Sequence, residues 1–547
     1  MLYFTKVTKS ICKKNTLSRA FLLFSILTIA FNLSGCGETI GTNTNYLSAI
    51  QTEVSAPVSY MKMSRSGIIM APDLNTETYS YLAENSFKDS LTSPLSTFSA
   101  DVDTASYSNV RRMLRDDSYP VAGAVRVEEM INYFSYDYPQ PQDGTPVAVY
   151  QELSECPWNS EHQLLHIGLQ AKKIDMSQAP QANLVFLIDV SGSMHDDLLL
   201  VKRSLKLLTE VMSAKDRISI VVYAGASGMI LPPTTASDKQ TILAALDKLE
   251  SGGATAGSEG IELAYELAEK NFIEGGNNRI ILATDGDFNV GLTSEDALVR
   301  LISKKREKGI YLTVLGFGML NYDDVTSEAL ADHGNGNYAY IDNLLEAKKV
   351  LVTQAGATLV TVAKDVKLQV EFNPAQVKAY RLIGYENRLL NNEDFADDSK
   401  DAGDMGAGHT VTALYEIIPQ LGSSDNSDSL RYQQQTHTSL AAGNELAYVK
   451  YRYKAPTSDT SELLSFVVDK QVIPFDQSSE NQRFAAAVAA WAMLLKDSAF
   501  KGSIDFDWIT QTARNAKGTD LQGERAEFVQ LVELSKLLKP KNKSSDI

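Results

Sequence analysis

The chain has 547 residues, with 51 Lys and Arg against 68 Asp and Glu, a formal net charge of −17. So acidic a surface excludes nucleic acid and anionic lipid as direct partners. Only three cysteines are present, so stability has to come from packed cores rather than a disulfide framework.

Residues 1–19 carry Lys6, Lys9, Lys13, Lys14 and Arg19 without an acid, and the mostly apolar run Ala20 to Phe31 is too short for an ordinary membrane span. This predicts a secretory signal over 1–35. It ends in Leu33-Ser34-Gly35-Cys36, which resembles the bacterial lipobox; the resemblance implies an acylated Cys36 as the new N-terminus, with Gly37 favouring the outer membrane under Gram-negative sorting. Cys12 would leave with the signal and Cys36 would carry lipid, so Cys156 remains alone. Residues 36–93, rich in Thr, Asn, Ser and Glu, read as a flexible tether with a reach of roughly 40 Å. Order is expected from near Pro94.

Residues 94–140 predict a short strand and two helices, Thr104 to Arg115 and Val125 to Phe134, each with one apolar face. Asp101 and Asp103, just ahead of the first helix, read as charge complements of a helix start in preference to a second metal site. Residues 141–181 hold two strands, Val147 to Leu153 and Leu164 to Leu169, expected to belong to a β-sandwich. His162 and His166 lack the HExxH pattern, because Gln163 stands where the general-base Glu is needed, and read as surface or packing histidines.

The most informative stretch is Asn183 to Met194, NLVFLIDVSGSM. An apolar run without alternation predicts a strand covered on both faces. It delivers Asp189, Ser191 and Ser193 to one tight turn, at the sheet edge where open α/β folds bind ligands. Short oxygen side chains suit a hard divalent cation. Gly252-Gly253-Ala254-Thr255 adds a hydroxyl on a glycine-permitted loop, and IILATD, Ile280 to Asp285, is a second buried strand ending in an acid.

This pattern resembles the von Willebrand factor type A domain with its metal-ion-dependent adhesion site. The resemblance implies a metal set of Asp189, Ser191, Ser193, Thr255 and Asp285, holding Mg²⁺, with Mn²⁺ or Ca²⁺ as alternatives. It places the domain at 182–357, as alternating units: strand 183–190, helix 198–213, strand 217–224, antiparallel edge strand 228–233, helices 238–249 and 257–271, strand 279–285, helix 294–308, strand 310–316, helix 323–332, strand 337–342 and helix 344–357. The fold class is thus α/β, a doubly wound, mostly parallel sheet. Asp287, directly after the motif, reads as a solvated rim acid.

After Ala357 the rhythm changes to short strands, Val366 to Phe372, Val377 to Ile383, Thr410 to Ile417, Leu446 to Tyr453 and Leu463 to Val468, a β-sandwich signature over 358–475. With the two earlier strands they suggest one sandwich into which the type A domain is inserted. The acidic loop Asp394 to Asp404 and the segment Ser423 to Ser439 read as mobile hairpin tips. Residues 476–540 predict helices Asn481 to Lys496, Asp507 to Ala516 and Gly523 to Leu538; the first is apolar for too short a run to span a membrane.

The stretch STFSADVDTASYSNVRRMLRDDSYPVAGAVRVEEMINYFSYDYP, Ser96 onward, resembles the N-terminal region of bacterial type A lipoproteins often labelled calcium-activated chloride channel homologues. Without a pore-forming segment the chain is not expected to conduct chloride itself. The expected function is a membrane-anchored, non-enzymatic adhesion or assembly module, whose metal takes an Asp or Glu carboxylate from a protein partner. The alternatives are a regulatory subunit of a separate channel or transport complex and, with no GxSxG, Walker A or HExxH motif to support it, a metal-dependent hydrolase.

Overall fold

A computed structural model describes residues 76–142, 144–224, 227–252, 257–286, 295–319, 321–420 and 438–540, with the side chains at 176, 257, 258, 295 and 439 excepted. In chain order, the N-terminal part forms β1 (Lys88–Asp89), β2 (Leu95–Ser99), α1 (Ala105–Arg115), α2 (Val127–Asn132), β3 (Val147–Glu155) and β4 (Gln163–Ala171). The middle forms β5 (Ala182–Asp189), α3 (Leu198–Val211), β6 (Arg217–Tyr223), β7 (Ser227–Thr235), α4 (Lys239–Asp247), α5 (Gly257–Lys270), β8 (Asn277–Thr284), α6 (Glu295–Arg306), β9 (Ile310–Gly316), α7 (Asp324–His333), β10 (Tyr338–Tyr340), α8 (Leu344–Lys348) and α9 (Ala355–Leu359). The remainder forms β11 (Thr361–Phe372), β12 (Val377–Ile383), β13 (Gly403–Gly406), β14 (Thr410–Pro419), β15 (Glu445–Lys454), β16 (Ser461–Asp469), α10 (Glu480–Leu495), α11 (Phe506–Asn515) and α12 (Glu524–Leu538).

The middle segment is a doubly wound sheet in the order β10-β9-β8-β5-β6-β7. Every pairing is parallel except β6 with β7. All residues of β5 are buried, because successive side chains point into two separate helix-covered cores. Leu184, Phe186 and Ile188 face α3, α4 and α8, while Val185 and Leu187 face α5 and α6. An uninterrupted apolar strand is therefore what this position demands.

Strands from both sides of that segment share the remaining sheets. One runs β1-β12-β14-β4-β3, so β14 pairs with β4 across the intervening type A sequence, and the other runs β13-β11-β15-β16 with β2 on the free edge of β11. They enclose one core containing Phe98, Leu165, Ile167, Val370, Tyr415 and Tyr451. Alternation sends the neighbouring Leu164, Ile383 and Leu414 to the opposite face, where they pack beneath α1, α2, α10, α11 and α12. In α10 the residues Phe484 to Leu495 are all buried, six of them alanines, which lets neighbouring backbones approach closely. Among the described residues no helix is long and apolar enough to cross a membrane.

Four expectations need correction. Residues 76–93 are held against the body: Arg112 pairs with Glu77 at 2.9 Å, Thr78 Oγ1 donates to Asp323 at 2.7 Å, and β1 pairs with β12. Order therefore begins ahead of Pro94, because polar side chains meet half-buried partners where an apolar pattern would not reveal them. The acidic loop Asp394 to Asp404 is likewise anchored, since Lys367 Nζ donates to the carbonyls of Asp394 (3.1 Å) and Asp397 (2.6 Å), and its end becomes β13, a sixth strand after the type A segment. Asp103 accepts the Tyr338 N–H and an Arg388 N–H, both at 2.8 Å, instead of complementing a helix start. The single helix expected over 344–357 is broken into α8, a π-turn at Lys349–Thr353 and α9. Ser423 lies outside the described residues, as does most of the second expected hairpin tip.

Candidate metal centre

Parallel pairing brings the ends of β5 and β8 to one edge of the sheet, with Ile188 opposite Ala283. Asp189 closes β5; Thr284 closes β8 and Asp285 follows it. Two carboxylates thus emerge side by side from a rigid, fully covered scaffold. Both are buried, at 0% and 1% exposure.

The turn after β5 then folds back on its own acid. The Ser191 N–H donates to Asp189 Oδ1 at 2.8 Å, and the Ser191 and Ser193 hydroxyls lie 3.0 Å apart. The other Asp189 oxygen accepts from Thr284 Oγ1 at 3.4 Å, while that same Oγ1 accepts the Gly286 N–H at 3.1 Å. Across the cleft, Asn321 Nδ2 donates to Asp285 Oδ2 at 2.9 Å. Gly318, at φ +91°, faces this acid so closely that an added Cβ would lie 3.1 Å from the Asp285 Cβ. A side chain there would crowd the carboxylate as well as strain the backbone.

Burial pushes the Asp189 carboxyl up to about 6, and the Asp285 charge adds to the effect against the lowering influence of the Ser191 and Tyr223 hydrogen bonds. Asp197 is raised for the same leading reason, with Asp196 and Asp285 contributing. The electrostatic problem at this edge is therefore negative charge out of water. A hard cation would relieve it.

Among the described residues no three His, Cys, Asp or Glu side chains converge into a metal-binding cluster. The donor set here is of another kind, two carboxylates and two hydroxyls, which fits a hard divalent ion that retains waters. Of the five residues expected to form the set, the structure gathers Asp189, Ser191, Ser193 and Asp285 at one edge. Thr255 lies outside the described residues, as do Asp287 and Cys36. The loop that leads to Thr255 starts beside the serines: Gly252 N–H donates to the Val190 carbonyl at 2.7 Å and His195 Nδ1 lies 2.8 Å from Ser251 Oγ.

Sequence reasoning missed Thr284, Asn321 and Asp197. Thr284 stood next to a chosen acid and Asp197 only four residues beyond Ser193, so proximity could have flagged both; nothing near Asn321 points to its role. The two histidines weighed against a zincin are packed away from this edge. His166 Nδ1 lies 2.9 Å from Gln482 Oε1 and its Nε2 2.5 Å from the Tyr138 hydroxyl, and His162 pairs with Glu416 at 2.6 Å.

Three family models match the chain: "von Willebrand factor" at residues 73–166, "von Willebrand factor type A domain" at 183–353, and "Uncharacterized protein YfbK, C-terminal" at 357–538. The Escherichia coli (strain K12) "Uncharacterized protein YfbK" is 42% identical over 497 residues, covering 89% of this chain and 86% of the relative. The Synechocystis "Uncharacterized protein sll0103" is 29% identical over 198 residues, covering 36% of this chain and 46% of the relative. Among solved structures, "von Willebrand factor type A from Catenulispora acidiphila" covers 72% of this chain and 89% of its own at 14% identity and a TM-score of 0.40, too loose a superposition to argue from. Type A domains are generally protein-interaction or adhesion modules and commonly bind a divalent metal. The chain belongs to the bacterial YfbK family, in which a von Willebrand factor type A domain is joined to a family-specific C-terminal region.

Proposed function

We propose that this protein is a membrane-anchored, divalent-metal-dependent binding module that engages an acidic group of a protein partner at the β5–β8 edge. The reading is carried by the pair of serine hydroxyls, 3.0 Å apart, beside the buried carboxylates of Asp189 and Asp285. Asp189, Ser191, Ser193, Asp285 and, on the loop beyond Gly252, Thr255 would hold the ion. A bound Mg²⁺, or Mn²⁺ or Ca²⁺ in its place, would supply a positively charged coordination position open to an Asp or Glu carboxylate from the partner. Asp189 is oriented for this by the Ser191 N–H and the Thr284 hydroxyl, and Asp285 by Asn321. Gly318 keeps the second acid uncrowded.

The anchor in this reading is lipid on Cys36, placing the module on a membrane, the outer one by its Gly37, facing the periplasm or the cell surface. Capture from solubilised membranes by the detergent-held full chain tests the whole proposal. Mg²⁺ should support recovery of a specific protein, and EDTA or Asp285→Ala should abolish it. Recovery that ignores EDTA would contradict metal-dependent engagement, and unchanged palmitate-analogue labelling of Cys36→Ser would contradict the anchor.

A further inference from the structure

At the opposite end of β8 from Asp285, a cavity of about 190 Å³ lies between the type A sheet and the sandwich, with Arg279, Asp404, Ser99, Asn337, Thr358 and Thr361 in its wall. Most of its charged groups are already paired. Arg306 holds Asp401, and Arg388 holds Asp101 at 3.4 Å and Asp332 at 2.6 Å. Arg279 and Asp404 are different.

Arg279 is 3% exposed, yet among the described residues no carboxylate oxygen comes within 4.0 Å of its guanidinium. Its Nη1 donates to Thr313 Oγ1 at 2.7 Å, the Tyr311 ring lies 5.4 Å away, and its Nε has no partner. Buried arginines without a carboxylate are rare, because the desolvation of the charge is left uncompensated. Asp404 complements it: Oδ1 accepts the Asp365 N–H at 3.2 Å, while Oδ2 is buried with no donor. The Asp404 charge acts on Arg279 although the two side chains do not meet.

We propose that this cavity binds a free α-amino acid, its carboxylate directed to Arg279 and its ammonium to Asp404. Opposite charges too far apart to pair, yet near enough to feel each other, match a small molecule whose own opposite charges sit on adjacent carbons. Several waters would also fit, at roughly 30 Å³ each, but they would leave the Arg279 charge uncompensated. A simple anion would meet the acid, and a simple cation the arginine. The remaining lining, Asn337, Ser99, Thr358 and Thr361, offers amide and hydroxyl groups to the ligand's polar atoms. Burial lowers Arg279 to about 10, which leaves it protonated near neutrality, and raises Asp404 to about 7, with Asp365 and Asp401 adding to the rise. An ammonium ion would favour the ionised form of Asp404.

The walls are fixed by close approaches. A Cβ on Gly403 would lie 2.3 Å from the Asp101 backbone nitrogen, and one on Gly406 would lie 1.8 Å from the Ala357 carbonyl oxygen. The site would thus join the two sheet systems at a seam remote from the metal edge.

Calorimetric titration of the detergent-held full chain with each of the twenty common amino acids tests this, with acetate and methylammonium as single-charge probes. Saturable binding of at least one amino acid is expected, unaffected by EDTA, with no binding of either single-charge probe. Arg279→Gln and Asp404→Asn should each weaken it about tenfold or more, with near-ultraviolet circular dichroism showing that the variants are folded. If one variant fails to fold, the other and the single-charge probes still decide. Absence of saturable heat at millimolar concentrations, meaning a water-filled cavity only, would overturn the proposal. So would unaltered affinity in a folded variant, or acetate binding as tightly as the amino acid.

Discussion

Residues 189–193 show how much one short turn accomplishes. The turn that follows β5 points the Ser191 N–H back at Asp189 and brings two hydroxyls together. This was legible in the sequence because strand, turn and oxygen donors are contiguous. The environment of His166 was not, since it depends on Gln482 and on Tyr138, whose hydroxyl also bonds Thr412, and these meet only through the fold. Burial depresses His166 to about 4, so the folded state holds the neutral ring. A depressed histidine contributes stability that is complete above its unfolded value near 6.5 and is lost as pH falls toward 4, up to about 3 kcal/mol by linkage. Urea unfolding at pH 7 and pH 4.5 checks this: His166→Gln should lose less stability between the two than the parent does. An equal loss in both would show that other groups carry the acid sensitivity.

At the scale of elements, period and length located the parallel strands, while β13 escaped notice because four residues, two of them glycines, carry no alternating pattern. Its importance lies in contact with the type A segment. A Cβ on Gly406 would press on the Ala357 carbonyl at 1.8 Å, whereas one on Gly228 in β7 meets nothing within 4 Å. Backbone cannot yield as a side chain does, so Gly406→Ala should destabilise by about 2 kcal/mol or more, while Gly228→Ala should be tolerated. Thermal unfolding of the two variants distinguishes them. Similar melting temperatures would mean that the seam is more pliant than this packing indicates. Overpacking gives a parallel expectation for α10: Ala487→Leu, at a fully buried position in the helical core, should lower stability by about 1–3 kcal/mol in the same assay.

Over the whole molecule, buried arginines join segments that are far apart in sequence. Arg111 of α1 reaches Glu346 of α8 at 2.7 Å and Glu527 of α12 at 3.1 Å, and also pairs with Asp342. Arg126 reaches Asp324 of α7 at 2.6 Å, and Arg388 reaches Asp103, Glu328 and Asp332. No local pattern reveals such clamps, because the partners lie from 56 to 416 residues away along the chain; this is the part of the architecture that the sequence conceals. Arg111→Met would leave acids uncompensated out of water, at a cost on the order of 3–5 kcal/mol. Denaturant unfolding should register that loss, and a change below about 1 kcal/mol would show that the acids simply take up protons.

These clamps bear on function because they hold the metal edge in a fixed relation to the rest of the chain: the Asp323 N–H, at the head of α7, donates to the Asp285 carbonyl at 3.2 Å. Whether that edge is a working site is decided most directly by calorimetric titration of Mg²⁺ into the parent, Thr255→Ala and Asp287→Ala proteins. One ion should bind the parent, Thr255→Ala should lose most of that affinity without unfolding, and Asp287→Ala should keep it. No heat with Mg²⁺, Mn²⁺ or Ca²⁺ in the parent, or equal affinity in Thr255→Ala, would contradict the metal-dependent mechanism.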